Sequence, residues 1–250
     1  MLDALYSVIE KSGVKLSDTL VFLPSRRAVR AAEKMFVARV GHAIILPKLV
    51  ALGEGVDSDE IPIYDNTFET SERVILLAKL LVADSCIGNM SVALQIARDF
   101  VRMQDYMENE GINSGDIDWE SLVDEKYAEH FKSKAKMLDI LTRVLPAMAN
   151  GRPTDVQQRN ADVRAWISDI QKYPSVIVCG STASVPATAD LMVAVANLSC
   201  GKIILPGKID GRIQDFELDT NPYNSEYKFL SRIGCDLDDV ICLDFGASNI

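Results

Sequence analysis

Apolar residues recur along this chain in two distinct patterns, and the changes from one to the other mark out its parts. Leu2, Leu5, Val8 and Ile9 fall at helical spacing before Gly13, which predicts an amphipathic helix over residues 2–11 with glycine as its stop. TLVFL at 19–23 is a continuous apolar run and predicts a first strand. After Pro24 and Ser25 the period returns to helical. Val29, Ala32, Phe36 and Val40 share one face, while Arg26, Arg30 and Lys34 run four apart along another. One face is expected to pack and the other to stay wet. HAIILPK at 42–48 predicts a second short strand ending at its proline, and the loop LGEGVDSDE follows.

From Thr67 to about Ala149 the pattern is helical throughout: SERVILLAKLLVA, VALQIARDFVRMQDYMENEG and EKYAEHFKSKAKMLDILTRVLPAMANG, each closed by a Gly or Pro signal. QQRNADVRAWISDIQKYP predicts a further amphipathic helix, after which the strands SVIVC and KIIL resume around the helix ATADLMVAVANL. A strand, helix and strand within about thirty residues form a βαβ crossover and so a parallel pair. The runs TLVFLPS, AIILPK, SVIVCGS and KIILPG are continuous instead of alternating, as strands buried on both faces are. The expected fold class is α/β, a parallel sheet interrupted by an all-helical domain. The α/β part covers 1–66 and 151–250, and the helical part 67–150. NPYNSEYKFLSRIG predicts a loop and short helix, and DDVICLDF a last strand.

Composition narrows the function classes. Hydrophobic residues at 48% and charged residues at 25% are globular averages, which argues against disorder. The apolar run Val74 to Ala83 is broken by Lys79 and falls short of the ~20 residues a membrane span needs. The acidic N-terminus lacks the basic start of a signal peptide, and five scattered cysteines without a CxxC pair fit a reducing, cytoplasmic setting. Net charge is -10, but residues 1–50 hold eight Lys and Arg against four Asp and Glu, while the rest carries 18 against 32. Such a chain does not coat nucleic acid with its whole surface, though it can present a local basic groove.

Candidate chemistry centres on the carboxyl ends of the strands, where open α/β sheets meet their ligands. Ser25, Arg26, Arg27 and Arg30 follow the first strand at the start of the basic helix, a placement suited to phosphate. Neither GxxxxGK[ST] nor GxGxxG occurs, and SVIVC is followed by Gly180, Ser181 and Thr182, where a nucleotide hydrolase carries magnesium-holding acids. The acidic run Asp116, Asp118, Glu120, Asp124 and Glu125 fails EF-hand spacing at Ser121 and Tyr127 and reads as a solvated turn. His42 and His130 stand apart from any serine or cysteine motif. Ser184 before Pro186 reads as a helix cap. Alanines, not aromatics, interleave the arginines, so base stacking on this helix is not expected. These residues alone also fit an enzyme acting on a phosphorylated ligand, or a docking scaffold.

Four blocks in order, LPSRRAVRAAEKMF, ILPKLVALGEGVDSDE, VCGSTASVPATADLMVAVANLSCGKIILPG and NPYNSEYKFLSRIG, resemble the N-terminal region of the AddB family in its alphaproteobacterial form. AddB proteins are the B subunits of AddAB double-strand-break repair helicase–nucleases. LPSRR resembles the family's LPTRR, GSTASVPATADL its GSTGSIPATADL, and IILPG its VVLPG. The resemblance implies a RecA-like domain interrupted by a helical one, with single-stranded DNA contacted at Ser25, Arg26, Arg27 and Arg30. It also implies an inactivated motor position at Gly180, Ser181 and Thr182, and an AddA-like helicase–nuclease subunit as partner. The family's nuclease, with its carboxylates and iron–sulfur cysteines, is expected beyond Ile250, so no cofactor and no catalytic residue is expected here.

Overall fold

In the computed structural model, residues 1–53, 66–83, 87–112, 117, 140–207, 218 and 220–243 are described. In chain order the regular elements are α1 (Leu2–Ser12), β1 (Thr19–Leu23), α2 (Arg26–Val40), β2 (Lys48–Ala51), α3 (Thr70–Ala83), α4 (Met90–Asn109), α5 (Leu145–Met148), α6 (Asp155–Asp169), β3 (Ser175–Cys179), α7 (Pro186–Ala196), β4 (Gly201–Ile204) and α8 (Asn224–Arg232). The chain divides into two compact units, Met1–Glu60 with Ala161–Ile250, and Ile61–Asn160. The acidic run from Asp116 to Glu125, His130, Cys86 and most of the third helical pattern lie outside the described residues.

The first unit is α/β, built on a four-stranded, all-parallel sheet in the order β2-β1-β3-β4. Register pairs Phe22 with Val50 and with Val178, and Val178 with Ile203. Every residue of β1 and β3 is buried, which is why both runs are apolar without alternation. Their side chains still divide by parity. Val21, Leu23, Ile177 and Cys179 meet α1 and α2 through Leu5, Ile9, Ala32 and Phe36. Leu20, Phe22, Val176 and Val178 face the opposite way, onto α7 and α8 through Leu191, Met192, Val195 and Phe229. Gly201 opens β4 because a Cβ there would collide with the Val195 carbonyl at the end of α7.

Three local expectations are corrected. The second strand begins after Pro47 instead of ending at it, with Lys48 opposite Leu20 as the first paired residue. Proline has no N–H to give a ladder. Ile44 and Leu46 pack inward while the intervening Ile45 is exposed, so this stretch contributes side chains without joining the sheet. The segment read as a last strand instead winds into a 3-10 turn at Leu237–Asp239, closed by a reciprocal Asp236–Asp239 capping box, and Val240 to Leu243 form no strand. Finally, Ser184 does not cap α7. Pro186 occupies its first turn and Val185 is the cap, with no side-chain cap bond.

In the second unit, α3 and α4 pack through Leu77, Ala78, Leu81, Ala93, Ala97 and Val101, where the alanines let the two backbones approach. A π-helical stretch, Ile140–Val144, leads into α5, and Ile140 and Leu145 join the same core. Beside it lies a buried polar network. Arg73 is fully buried, with Nη2 2.7 Å from Asp105 Oδ1 and 3.1 Å from Thr70 Oγ1, and Nη1 3.4 Å from Gln104 Oε1. Glu108 accepts from Gln104 Nε2 and Gln157 Nε2, each at 3.1 Å, and from the Thr154 hydroxyl. The incoming and outgoing segments of the unit are tied together. Phe68 N–H donates to Pro153 O at 2.8 Å, Thr67 Oγ1 donates to Asp155 Oδ1 at 2.5 Å, and Phe68 and Thr154 form a parallel bridge. Arg152 spans the junction, with bonds of 2.9 and 2.8 Å to Glu72 and 3.1 Å to Thr67 O. The Arg152 guanidinium holds the Glu72 carboxyl below its ordinary range.

Burial pushes the Glu108 carboxyl up, against its hydrogen bonds from Thr154 and Gln104 and the charge of Arg73. A carboxylate raised in the folded state lends stability that is complete below its unfolded pKa of about 4.3 and is lost as pH rises through the folded value. Glu108→Gln removes this titration while keeping the shape. Between about pH 4 and pH 8 the wild type should therefore lose melting temperature relative to the variant, measured by helical circular dichroism. A constant offset across that range would show that Glu108 holds no raised proton.

Candidate functional site

The two central strands set the site. From β1 the chain passes through α2, on one face of the sheet, to reach β2 on one side. From β3 it passes through α7, on the other face, to reach β4 on the other side. The two crossovers diverge, so the point at which the strand order reverses lies between β1 and β3. In open parallel sheets this is where a crevice forms outside the carboxyl ends and where ligands bind. Since Phe22 pairs with Val178, the turns Pro24-Ser25 and Gly180-Ser181-Thr182-Ala183 emerge side by side at that edge.

Ser25 is the N-cap of α2. It is extended at φ -147°, its Oγ accepts the Ala28 N–H at 3.2 Å, and its carbonyl accepts the Val29 N–H at 3.0 Å. The cap satisfies one of the first-turn amides that a helix leaves without internal partners. Its hydroxyl proton remains available as a donor. Arg26, Arg27 and Arg30 are all exposed, on the face opposite buried Ala32 and Phe36. Among the described residues, no ion pair or hydrogen bond engages the side chains of Arg27 and Arg30.

The β3 turn is built more tightly. Gly180 has φ +82°, a left-handed conformation that glycine adopts without strain; its N–H donates to Ile204 O at 2.7 Å, and the Met1 side chain lies over it. Ser181 is buried and accepts the Ala183 N–H at 3.1 Å through Oγ, an arrangement that accompanies the left-handed φ of +58° at Ala183. Thr182 is half-buried. The structure thus brings both predicted groups of residues to one sheet edge, the arginines at the surface and the Gly-Ser-Thr turn largely covered.

Chemically, the two turns and the first helical turn of α2 offer hydroxyls, amides and guanidinium groups, with no carboxylate or imidazole. That set can hold an anion. Burial pushes the adjacent Cys179 thiol up to about 11, which keeps it protonated and unreactive at neutral pH. Among the described residues, no group of three or more His, Cys, Asp or Glu side chains could hold a metal ion, and no helix is long and apolar enough to cross a membrane. Two features had no sequence signal: the cover that Met1 lays over Gly180, and the buried network around Arg73 and Glu108, whose members lie far apart along the chain.

Protein-family models give no match to the chain, and no curated protein matches it.

Ser25→Ala removes the α2 cap and should cost about 1 kcal/mol in urea denaturation. Ser25→Asp keeps an acceptor for the Ala28 N–H and should retain most of that stability. Equal losses in both variants would mean that the cap bond does not hold the helix start.

Proposed function

We propose that this chain is a DNA-binding, non-hydrolysing, helicase-like module, related to the B subunit of an AddAB-type helicase–nuclease of double-strand-break repair. The α/β unit is of RecA-like type and the helical unit is its insertion. The observation that carries the reading is the set of exposed cations at the helix start beside the strand-order reversal, among which, within the described residues, no ion pair or hydrogen bond engages Arg27 or Arg30. Arg27 and Arg30, with Arg26 beside them, lie where an anionic ligand of a parallel sheet is met. Guanidinium contacts to phosphate are independent of base sequence, and alanines between the arginines favour backbone grip over base stacking.

Gly180, Ser181 and Thr182 stand where a motor carries its magnesium-binding acids, and a turn without carboxylates supports a role in holding the strand instead of driving it. Acidic surface over most of the chain restricts the contact to this helix and leaves other surfaces to dock an AddA-like subunit in the cytoplasm. The four sequence blocks in AddB-like order favour this partner and pathway over an enzyme acting on a small phosphorylated ligand.

Fluorescence anisotropy with fluorescein-labelled oligodeoxythymidylate should show binding that weakens as salt rises. In the Arg27→Ala/Arg30→Ala variant the slope of log K against log salt should shrink by about 1.4, two contacts at ~0.7 each. Ser25→Asp should lose affinity through charge repulsion while keeping its fold. Binding by the double variant at wild-type affinity and slope would remove this helix from the site.

A further inference from the structure

The basic stripe of α2 continues beyond the site described above. Arg26, Arg30 and Lys34 are spaced four residues apart, so each lies about 6 Å further along the axis and about 40° further round it. All three are exposed, and among the described residues no ion pair or hydrogen bond engages Arg30 or Lys34. Exposed Ala31 and Ala38 leave the surface beside them low, and exposed Glu33 stands at the flank one turn on from Arg30. The stripe then stops. The next position in the series is Ala38, and Arg39 is withdrawn into an ion pair with Asp3 and lies 4.8 Å over the Tyr6 ring.

We infer that a single nucleic-acid strand follows the inclined row of Arg26, Arg30 and Lys34 on α2, with successive phosphates against the three, and that Lys34 is the distal contact of this three-cation track. The inference rests on the nucleic-acid reading above and extends it by a residue and a direction. A step of about 6 Å per cation is comparable to the separation of neighbouring phosphates on an extended strand. Guanidinium at the helix start offers a forked grip, while the Lys34 ammonium is a point charge on a flexible stem, suited to a strand leaving the site. The track begins at the crevice between β1 and β3 and ends where Arg39 turns away.

The test compares Lys34→Ala, Lys34→Arg and, as a charge-matched control away from the track, Lys79→Ala on α3, each binding labelled oligodeoxythymidylate across a salt series. Lys34→Ala should weaken binding several-fold and reduce the salt slope by about 0.7, one single-strand phosphate contact. Lys34→Arg should restore the wild-type slope, and Lys79→Ala should leave it unchanged. An unchanged slope in Lys34→Ala, with the Arg27→Ala/Arg30→Ala variant still impaired, overturns the extended track and leaves the nucleic-acid reading standing. Equal loss in Lys34→Ala and Lys79→Ala overturns it too, since net charge alone would then account for the effect. Absence of salt-dependent binding by the wild type overturns both.

Discussion

Pairing of β1 with β3, each covered on both faces, is the constraint on which the α/β unit depends. Two parallel strands in register can be extended into a sheet on both sides only if their crossovers leave in opposite directions. The covering helices then lie on opposite faces. That arrangement places the reversal of strand order between the two strand ends and determines which backbone segments border it. The chemistry of those segments follows from their turns. Ser25 supplies an oxygen that caps α2, and Gly180 takes the left-handed turn that its φ of +82° sets.

Arginine is used in two opposite ways within this chain. In the helical unit, Arg73 is taken wholly out of water, and its charge is answered by Asp105 with Thr70 and Gln104 filling in around it. Removing one partner of such a pair strands a buried charge, at a cost of about 3–5 kcal/mol. In the α/β unit, Arg27 and Arg30 are exposed, and among the described residues no ion pair or hydrogen bond engages their side chains. An exposed cation adds little to stability, so these residues can be tuned for a ligand at small cost to folding. Arg39 lies between the two cases, spent on Asp3 and Tyr6 in joining α1 to α2.

What could be read from the sequence was what neighbouring residues decide. The bounds of β1 and the division of α2 into a packed and a wet face depend on contacts within a few positions. The shift of β2 past Pro47 could not be read that way. An apolar run indicates burial, whereas pairing depends on which backbone N–H groups a distant strand can use. The Asp236–Asp239 box likewise outcompeted the strand pattern of the residues after it. The network at Arg73, Asp105 and Glu108 was the least legible, because charged residues at helical spacing ordinarily mark a solvated face. Only the fold of the helical unit reveals that this one is dry.

The tie between Thr67–Phe68 and Pro153–Asp155 has an evolutionary consequence. Because the chain enters and leaves the helical unit through one pair of hydrogen-bonded segments, everything between them forms a closed loop in the topological sense. Helices within that loop can be lengthened, lost or exchanged while the register of β1 against β3 is left alone. Sequence in this stretch is therefore free to drift toward new surfaces faster than the sheet, and relatives should differ most in size between the two tied segments.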